Sequence, residues 1–299
     1  MEKRSKQKEF FLLGSSIVPS LILLRKNDPL RLAGATAFFT TFALPFIVFI
    51  LARFFGLFVG NKIVGHGLIQ NIASNLGTDA AEQVRQVIHS IRSFNSNWYV
   101  IIFGFAFLLF VATSLFGVIR NSLDQIWQVT VKENAGIVFT LGARLRSFAV
   151  ILLVGILFFA NLFLRSIETI GGNYFNGLFS GGILYFKFFC NQMNSVLIVT
   201  TWFIILFRFL ADGKPTWKAA IIGGLLTGIL FSIGRFILRT LLINSNVSHL
   251  YGPSGSFVLI LLFVFYTSFI MYYGACFIAV YSQKKHWLIK GQHLLSPAR

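Results

Sequence analysis

The stretch Thr201–Lys284, TWFIILFRFLADGKPTWKAAIIGGLLTGILFSIGRFILRTLLINSNVSHLYGPSGSFVLILLFVFYTSFIMYYGACFIAVYSQK, decides the fold class. It contains two long apolar segments, Trp217–Ile243 and Phe257–Val280, and the second has no charged residue. The charged residues of the first are Lys218, Arg235 and Arg239. Because about 20 apolar residues cross a hydrocarbon core about 30 Å thick, both segments predict membrane-spanning helices.

The composition of the whole chain supports a membrane protein. Hydrophobic residues make up 56% and charged residues 12% of the 299 positions, whereas about a quarter of a soluble domain is charged. The net charge of +17 comes from 26 basic against 9 acidic residues. In a soluble protein this excess would indicate nucleic acid, but here the basic residues lie in the loops between apolar segments. We therefore expect membrane lipids, including anionic headgroups, as partners, and no nucleic acid.

Six spans are predicted, and the fold class is all-α: a polytopic membrane protein with six transmembrane helices and additional interfacial amphipathic helices. Asp28 followed by Pro29 is a helix-start signal for the first span. The fourth span has a polar first half. The six spans run from Pro29 to about Phe58, Trp98 to Ile119, Leu145 to Ser166, about Ile183 to Phe207, Trp217 to Ile243, and Phe257 to Val280.

The distribution of Lys and Arg predicts the orientation. Most of the 26 basic residues lie in the N-terminal segment, the connections 119–146 and 208–218, and the C-terminal tail. The positive-inside rule therefore places both termini in the cytoplasm, which an even number of spans also requires.

The spans divide the chain into three parts. Residues 1–28 form a cytoplasmic or interfacial N-terminal segment, 29–283 the six-span membrane domain, and 284–299 a cytoplasmic tail. Residues 10–24 are expected at the cytoplasmic interface, with Pro19 preventing one continuous helix.

Residues 59–97 are predicted to form an external helical insertion. Within it, Asp79–Arg92 has the apolar spacing of an amphipathic helix that would lie on the outer membrane surface or cover the external mouth of the bundle. Cys190 and Cys276 fall near opposite membrane faces in this topology, so no disulfide is expected between them.

The chain lacks the usual sequence signals of catalysis and metal binding. Its nine carboxylates are scattered, and its five histidines show no metal-ligand spacing. It contains no G-x-S-x-G elbow and no GxxxxGK[ST] phosphate loop. We therefore expect no enzymatic activity, no metal and no cofactor.

Polar residues at membrane depth are the candidates for function, because lipid makes them costly unless they face a partner or water. Arg235 shares one helix face with Gly224 and Gly228, where small residues let another helix approach. It would line a pathway for an anionic group, or else snorkel to the external headgroups together with Arg239.

Two further polar sets are candidates. Lys187, Asn191 and Asn194 in the first half of the fourth span would line a water-filled cavity, unless the span starts later and they belong to a loop. Asp124 follows the second span and is expected to form a structural salt bridge with an arginine such as Arg144 or Arg146. The alternative for Asp124 is a proton or ion role.

A stripe of small residues marks the first span as a packing helix. Its members are Gly34, Ala37, Thr41 and Pro45, spaced three or four apart. Small residues at this spacing are typical of close helix–helix contacts, and Pro45 allows a kink.

Several stretches, in this order and spacing, resemble the YihY/BrkB family of bacterial inner-membrane proteins, formerly mislabelled ribonuclease BN. The resemblance covers roughly residues 20–283. The stretches are Ala33–Phe39 leading to Leu44–Phe46, Asn121–Trp127, Gly223–Leu226, and the turn Tyr251, Gly252, Pro253, Ser254, Gly255 and Ser256 leading to Gly274 and Ala275.

The resemblance implies a bacterial cytoplasmic (inner) membrane protein with six spans and both termini cytoplasmic. It also implies an unsettled biochemical role, with export of lipid or lipopolysaccharide connected to some relatives. Cys276 stands where the family often has a glutamate, which speaks against a mechanism that needs a carboxylate in the sixth span.

Three functions follow in order of preference. The first is a transporter-like protein that moves a lipid, an envelope precursor or another amphipathic anion. The second is a non-transporting scaffold for envelope assembly or integrity, acting as a homo-oligomer or with an envelope-assembly partner. A ribonuclease is the third and weakest.

Overall fold

The computed structural model describes residues 2–43, 98–129, 183–243 and 255–287, together with the positions 69–70, 81–82, 85–86, 142, 149, 153, 155–156 and 289. The described part is 89% helical and contains no strand, which confirms the all-α class. Its main elements are α1 (Glu2–Lys26), α2 (29–43), α3 (Trp98–Ile126), α4 (Ile183–Ile205) with a π-helical turn (Leu206–Leu210), α5 (Trp217–Ile243) and α6 (Gly255–Lys284).

Two of the described helices are long and apolar enough to cross a membrane. These stretches are Trp217–Leu238, of 22 residues, and Val258–Lys284, of 27 residues. The count of six spans stays a prediction. Most of the third predicted span, most of the external insertion and the second half of the first span, with Pro45, lie outside the described residues.

Helix α5 has the bounds that the sequence predicts, and α3 is longer than its predicted span. The helix continues past Ile119 to Ile126 because its last turns are packed. Leu123 and Ile126 are buried, and Trp127 directly after them is fully buried.

The expectation that Pro19 interrupts the N-terminal helix was wrong. Helix α1 runs unbroken from Glu2 to Lys26 with Pro19 inside it. Proline has no N–H to offer the carbonyl four residues earlier, here that of Ser15. The Lys284 ammonium takes that place: Nζ donates to the Ser15 carbonyl at 2.7 Å and lies 3.0 Å from the Ser15 hydroxyl.

Helix α1 turns two small polar residues towards the bundle and several large apolar residues outwards. Ser16 and Ser20 are fully buried, and their hydroxyls donate to carbonyls of α1 itself. Phe11, Val18 and Ile22 are exposed. This is the reverse of a helix on a soluble protein, and it suits an element whose outer face meets lipid.

The start of α2 follows a tight break after α1. Asp28 has the left-handed φ of 51°, and its carbonyl accepts the N–H of Leu32 at 3.1 Å. The predicted helix start at Pro29 is confirmed. The Asp28 side chain lies 3.9 Å from Arg31, and both side chains are exposed.

Helix α5 packs between α4 and α6 through two sets of small residues. On one side Gly224 and Gly228 lie against Ile204 and Thr200 of α4. On the other side Gly223, Thr227 and Gly234 lie against Ile278, Gly274 and Tyr266 of α6. In both helix pairs, higher residue numbers in one helix lie against lower residue numbers in the other. Helix α5 is therefore antiparallel to both α4 and α6.

Helix α6 contacts several other elements and forms the centre of the described structure. The fully buried Tyr272 forms a hydrogen bond with the Thr36 hydroxyl of α2. Every residue from Met271 to Ile278 is buried. The carbonyl of Ala275 also accepts a hydrogen bond from the indole of Trp127, after α3.

Candidate functional site

Arg235 lies level with the polar half of α4. In the antiparallel pair of α4 and α5, Ile204 lies against Gly224 and Thr200 lies against Gly228. Arg235 is seven residues after Gly228, so it lies level with Met193, seven residues before Thr200. Asn191 and Asn194 flank that position in sequence. The fold therefore brings three sequence-predicted polar candidates to one level of the bundle.

The α4 face that meets α5 becomes more exposed towards this level. Thr200 is 5% exposed, whereas Met193, seven residues away and hence on nearly the same face of α4, is 47% exposed. Arg235 lies on the same α5 face as Gly228 and is half-buried. Lys187 lies about 9 Å further out along α4, at 1.5 Å per residue.

Tyr266 of α6 reaches the same level from the other side. Its ring lies over Gly234, where any side chain would overlap it, and its hydroxyl donates to the Leu230 carbonyl at 3.2 Å. Arg235 thus has the contact with α4 on one side and an aromatic ring next to its backbone on the other. A guanidinium in such a setting is suited to bind a phosphate or carboxylate.

Gly224 and Gly228 themselves belong to a packed contact. A Cβ at Gly228 would lie 3.1 Å from the Cα of Thr200, and one at Gly224 would lie 3.3 Å from the Cα of Ile204. Helix α4 therefore covers this glycine face. Arg235, further along the same face, lies level with the exposed Met193.

The small-residue stripe of α2 is divided in the same way. Ala37 is buried against Ile260 and Val264 of α6. Thr41 is buried too, and its hydroxyl donates to the Ala37 carbonyl at 2.8 Å. Gly34 has open space around it, since a Cβ there would meet nothing within 4 Å.

Asp124 lies in a second polar cluster, at the opposite end of α4 and α5. Its carboxylate accepts the backbone N–H groups of Asp212 at 3.0 Å and Gly213 at 2.9 Å. Arg120, one turn earlier on α3, lies 3.7 Å from the Asp212 carboxylate. Asp124 thus joins the end of α3 to the turn that connects α4 and α5.

Burial raises the pKa of the Asp124 carboxyl above its ordinary value, against the opposing effect of the Gly213 and Asp212 N–H groups. The predicted partners Arg144 and Arg146 lie outside the described residues. The contacts with the turn backbone were not predictable from the sequence, because 88 residues separate Asp124 from Asp212.

Trp127 completes this cluster. Its indole Nε1 donates to the Ala275 carbonyl at 3.0 Å. A Cβ at Gly213 would lie 2.7 Å from Val129 and 3.0 Å from the Trp127 ring, so the turn needs a glycine there. The spacing of three between Asp124 and Trp127 lets one short helical segment hold both the turn and α6.

The remaining predicted sites carry less information. Gly255 is the first residue of α6, while Tyr251 and Gly252 lie outside the described residues. Cys276 is buried and free. Within the described ranges no group of three or more His, Cys, Asp or Glu residues could hold a metal ion.

Comparison with known proteins identifies relatives of this chain. Residues 24–295 match the family model described as virulence factor BrkB. The chain is similar to proteins named UPF0761 membrane protein from Vibrio cholerae serotype O1, including strains El Tor Inaba N16961 and M66-2. Each match is 22% identical over 185 residues, which is 62% of this chain and 59% of the relative's length. No solved structure matches.

Proposed function

The chain belongs to the virulence factor BrkB family of membrane proteins, and from this premise we propose that it is a transporter-like protein of the bacterial inner membrane. Its cargo is a lipid, an envelope precursor or another amphipathic anion. It works without catalysis, through six spans with both termini in the cytoplasm.

One observation carries the transport proposal: Arg235 lies on the α5 face that meets α4, at the level where the exposure of α4 rises from 5% at Thr200 to 47% at Met193. An arginine within a span is costly in lipid unless it faces water or a partner. Here it lies on the face that meets α4, level with Asn191 and Asn194. A cation beside an exposed apolar side chain, here that of Met193, suits the charged head and the apolar body of an amphipathic anion.

The orientation is supported by what the fold gathers at one end. Arg208 follows α4 and Lys284 ends α6, and the contact of Asp124 with the turn after α4 brings the end of α3 there as well. The contact of Lys284 with Ser15 brings α1 to the same end. A basic end of this kind favours the cytoplasmic side.

A green fluorescent protein fused after Arg299 should fluoresce in cells, and alkaline phosphatase at the same position should be inactive. The reverse pattern would overturn the topology.

Transport is tested with the purified protein in liposomes that contain a fluorescent anionic phospholipid, by following its bleaching from outside with dithionite. The native protein should accelerate transfer between leaflets over empty liposomes. Arg235→Gln should lower that rate at least about tenfold, the effect of losing a charged contact worth about 1.5–3 kcal/mol. Arg235→Lys should keep part of it.

Arg239→Gln is the matched control, because Arg239 is the next arginine along α5 and was expected only to reach the headgroups. It should change the rate by less than about twofold. If the native protein moves neither lipid nor solute and purifies with a fixed partner instead, the scaffold function replaces the transport proposal.

A further inference from the structure

The turn between α4 and α5 carries basic and aromatic side chains that the transport proposal does not use. Arg208 lies in the π-helical turn, and its guanidinium carbon is 5.2 Å from the centre of the Trp217 ring. Its Nη1 donates to the Pro215 carbonyl at 2.8 Å. These two contacts hold the guanidinium in place across the turn before any ligand arrives, which lowers the entropic cost of binding an anion.

Two aromatic rings stand exposed beside this guanidinium. Phe209 and Trp217 meet edge to face at 5.9 Å and are 43% and 52% exposed. Trp217 is also the first residue of the apolar stretch Trp217–Leu238. Exposed aromatic rings at the end of an apolar helix are typical of the headgroup level of a membrane.

The charge on the outer side of this turn is positive. Lys214 and Lys218 are exposed on either side of Trp217. The nearby carboxylates are directed inwards, since Asp124 is buried against the turn backbone and Asp212 faces Arg120. The first turn of α5 adds the positive end of a helix dipole. Basic groups therefore face outwards and acidic groups face the bundle.

We propose that this turn binds the phosphodiester headgroup of an anionic phospholipid. Arg208, Lys214 and Lys218 supply the cations, and the rings of Phe209 and Trp217 contact the glycerol and upper acyl chains. The exposed rings favour a lipid over a soluble anion, which would gain nothing from them. The site lies at the opposite end of α5 from Arg235 and does not depend on transport.

The test uses the detergent-purified full chain and native mass spectrometry, with phosphatidylglycerol as the anionic probe and phosphatidylcholine as the zwitterionic one. The double variant Lys214→Gln/Lys218→Gln should raise the dissociation constant for phosphatidylglycerol at least about fivefold. The affinity for phosphatidylcholine should not change. Both lysines are exposed, so this variant is expected to fold.

The control Arg25→Gln/Lys26→Gln removes the same charge from two exposed positions at the end of α1. It should change the affinity less than about twofold. An equal loss in both double variants would overturn the proposal in favour of diffuse attraction to the basic end. Equal binding of the two lipids to the native protein, or full displacement of phosphatidylglycerol by millimolar inorganic phosphate, would overturn it as well.

Discussion

The close approach of α4 to α5 at Gly228 makes this glycine sensitive to the smallest substitution. In Gly228→Ala the new Cβ would lie 3.1 Å from the Cα and 3.2 Å from the Cβ of Thr200, and closer still to its hydroxyl. The hydroxyl can rotate away, but the Cα cannot move without the helix. Ordinary carbon–carbon contacts begin at about 3.5 Å, so α4 must retreat by about 0.4 Å.

The cost follows from two opposing effects. Overpacking a well-packed contact costs about 1–3 kcal/mol. Replacing glycine by alanine inside a helix gains about 0.5–1 kcal/mol. We expect Gly228→Ala to lower the free energy of unfolding by up to about 2.5 kcal/mol.

Gly34→Ala is the matched control, because it is the same substitution inside α2, at a position where a Cβ meets nothing within 4 Å. It should raise the free energy of unfolding by about 0.5–1 kcal/mol. The difference between the two variants isolates the packing effect, since the gain in helix propensity is common to both.

The assay is thermal unfolding in one detergent, followed by intrinsic fluorescence. The melting temperature of Gly228→Ala should fall and that of Gly34→Ala should rise. Two equal rises would show that α4 does not approach α5 as closely as described, and would remove the register that brings Arg235 level with Asn191 and Asn194.

Three further predictions concern the other end of the bundle. Lys284→Met should lower the melting temperature, by the equivalent of about 0.5–1.5 kcal/mol. The effect should be far smaller in a Pro19→Ala background, where the backbone N–H of residue 19 can donate to the Ser15 carbonyl. Equal effects in both backgrounds would refute this explanation of the unbroken helix. Trp127→Phe keeps an aromatic ring but removes the indole N–H that the Ala275 carbonyl accepts in addition to its helical N–H, so a loss of about 0.5–1.5 kcal/mol is expected in the same assay, and no loss would show that this bond does not hold α3 to α6. The pKa of the Asp124 carboxyl is raised above 3.8 in the folded protein, so the folded protein binds the carboxyl proton more tightly than the unfolded chain does. The contribution of Asp124 to stability therefore falls as the pH rises above 3.8 and is constant beyond the raised pKa. The melting temperature of the native protein should fall with pH across this range, and an identical fall in Asp124→Asn would contradict the prediction.

The hydrogen-bond donors to Asp124 could not be predicted from the sequence. A buried carboxylate after a span needs a donor or a cation, and the sequence offered Arg144 and Arg146 as neighbours along the chain. The structure supplies backbone N–H groups 88 and 89 residues away. Backbone donors carry no residue-type signal, so no motif could have indicated them.

The unbroken course of α1 through Pro19 has the same explanation. The rule that proline ends a helix considers only neighbouring residues. The ammonium that replaces the missing hydrogen bond belongs to Lys284, 269 residues after Ser15. The glycines were equally ambiguous. Gly34 and Gly228 look alike in sequence, yet one has open space around it and the other touches a neighbouring helix.

The sequence by itself determined the membrane class, the all-α fold, the bounds of α5 and the resemblance to a family. These follow from the length of apolar segments and from where charges are absent, and both are properties of consecutive residues. The tertiary structure decided which faces meet. In α5 the side chains of Ile221, Leu225 and Ile229 are exposed while Gly224 and Gly228 are packed. Lipid accepts apolar residues as readily as a protein interior does, so hydrophobic periodicity cannot separate the two surfaces, and only the packed neighbours do.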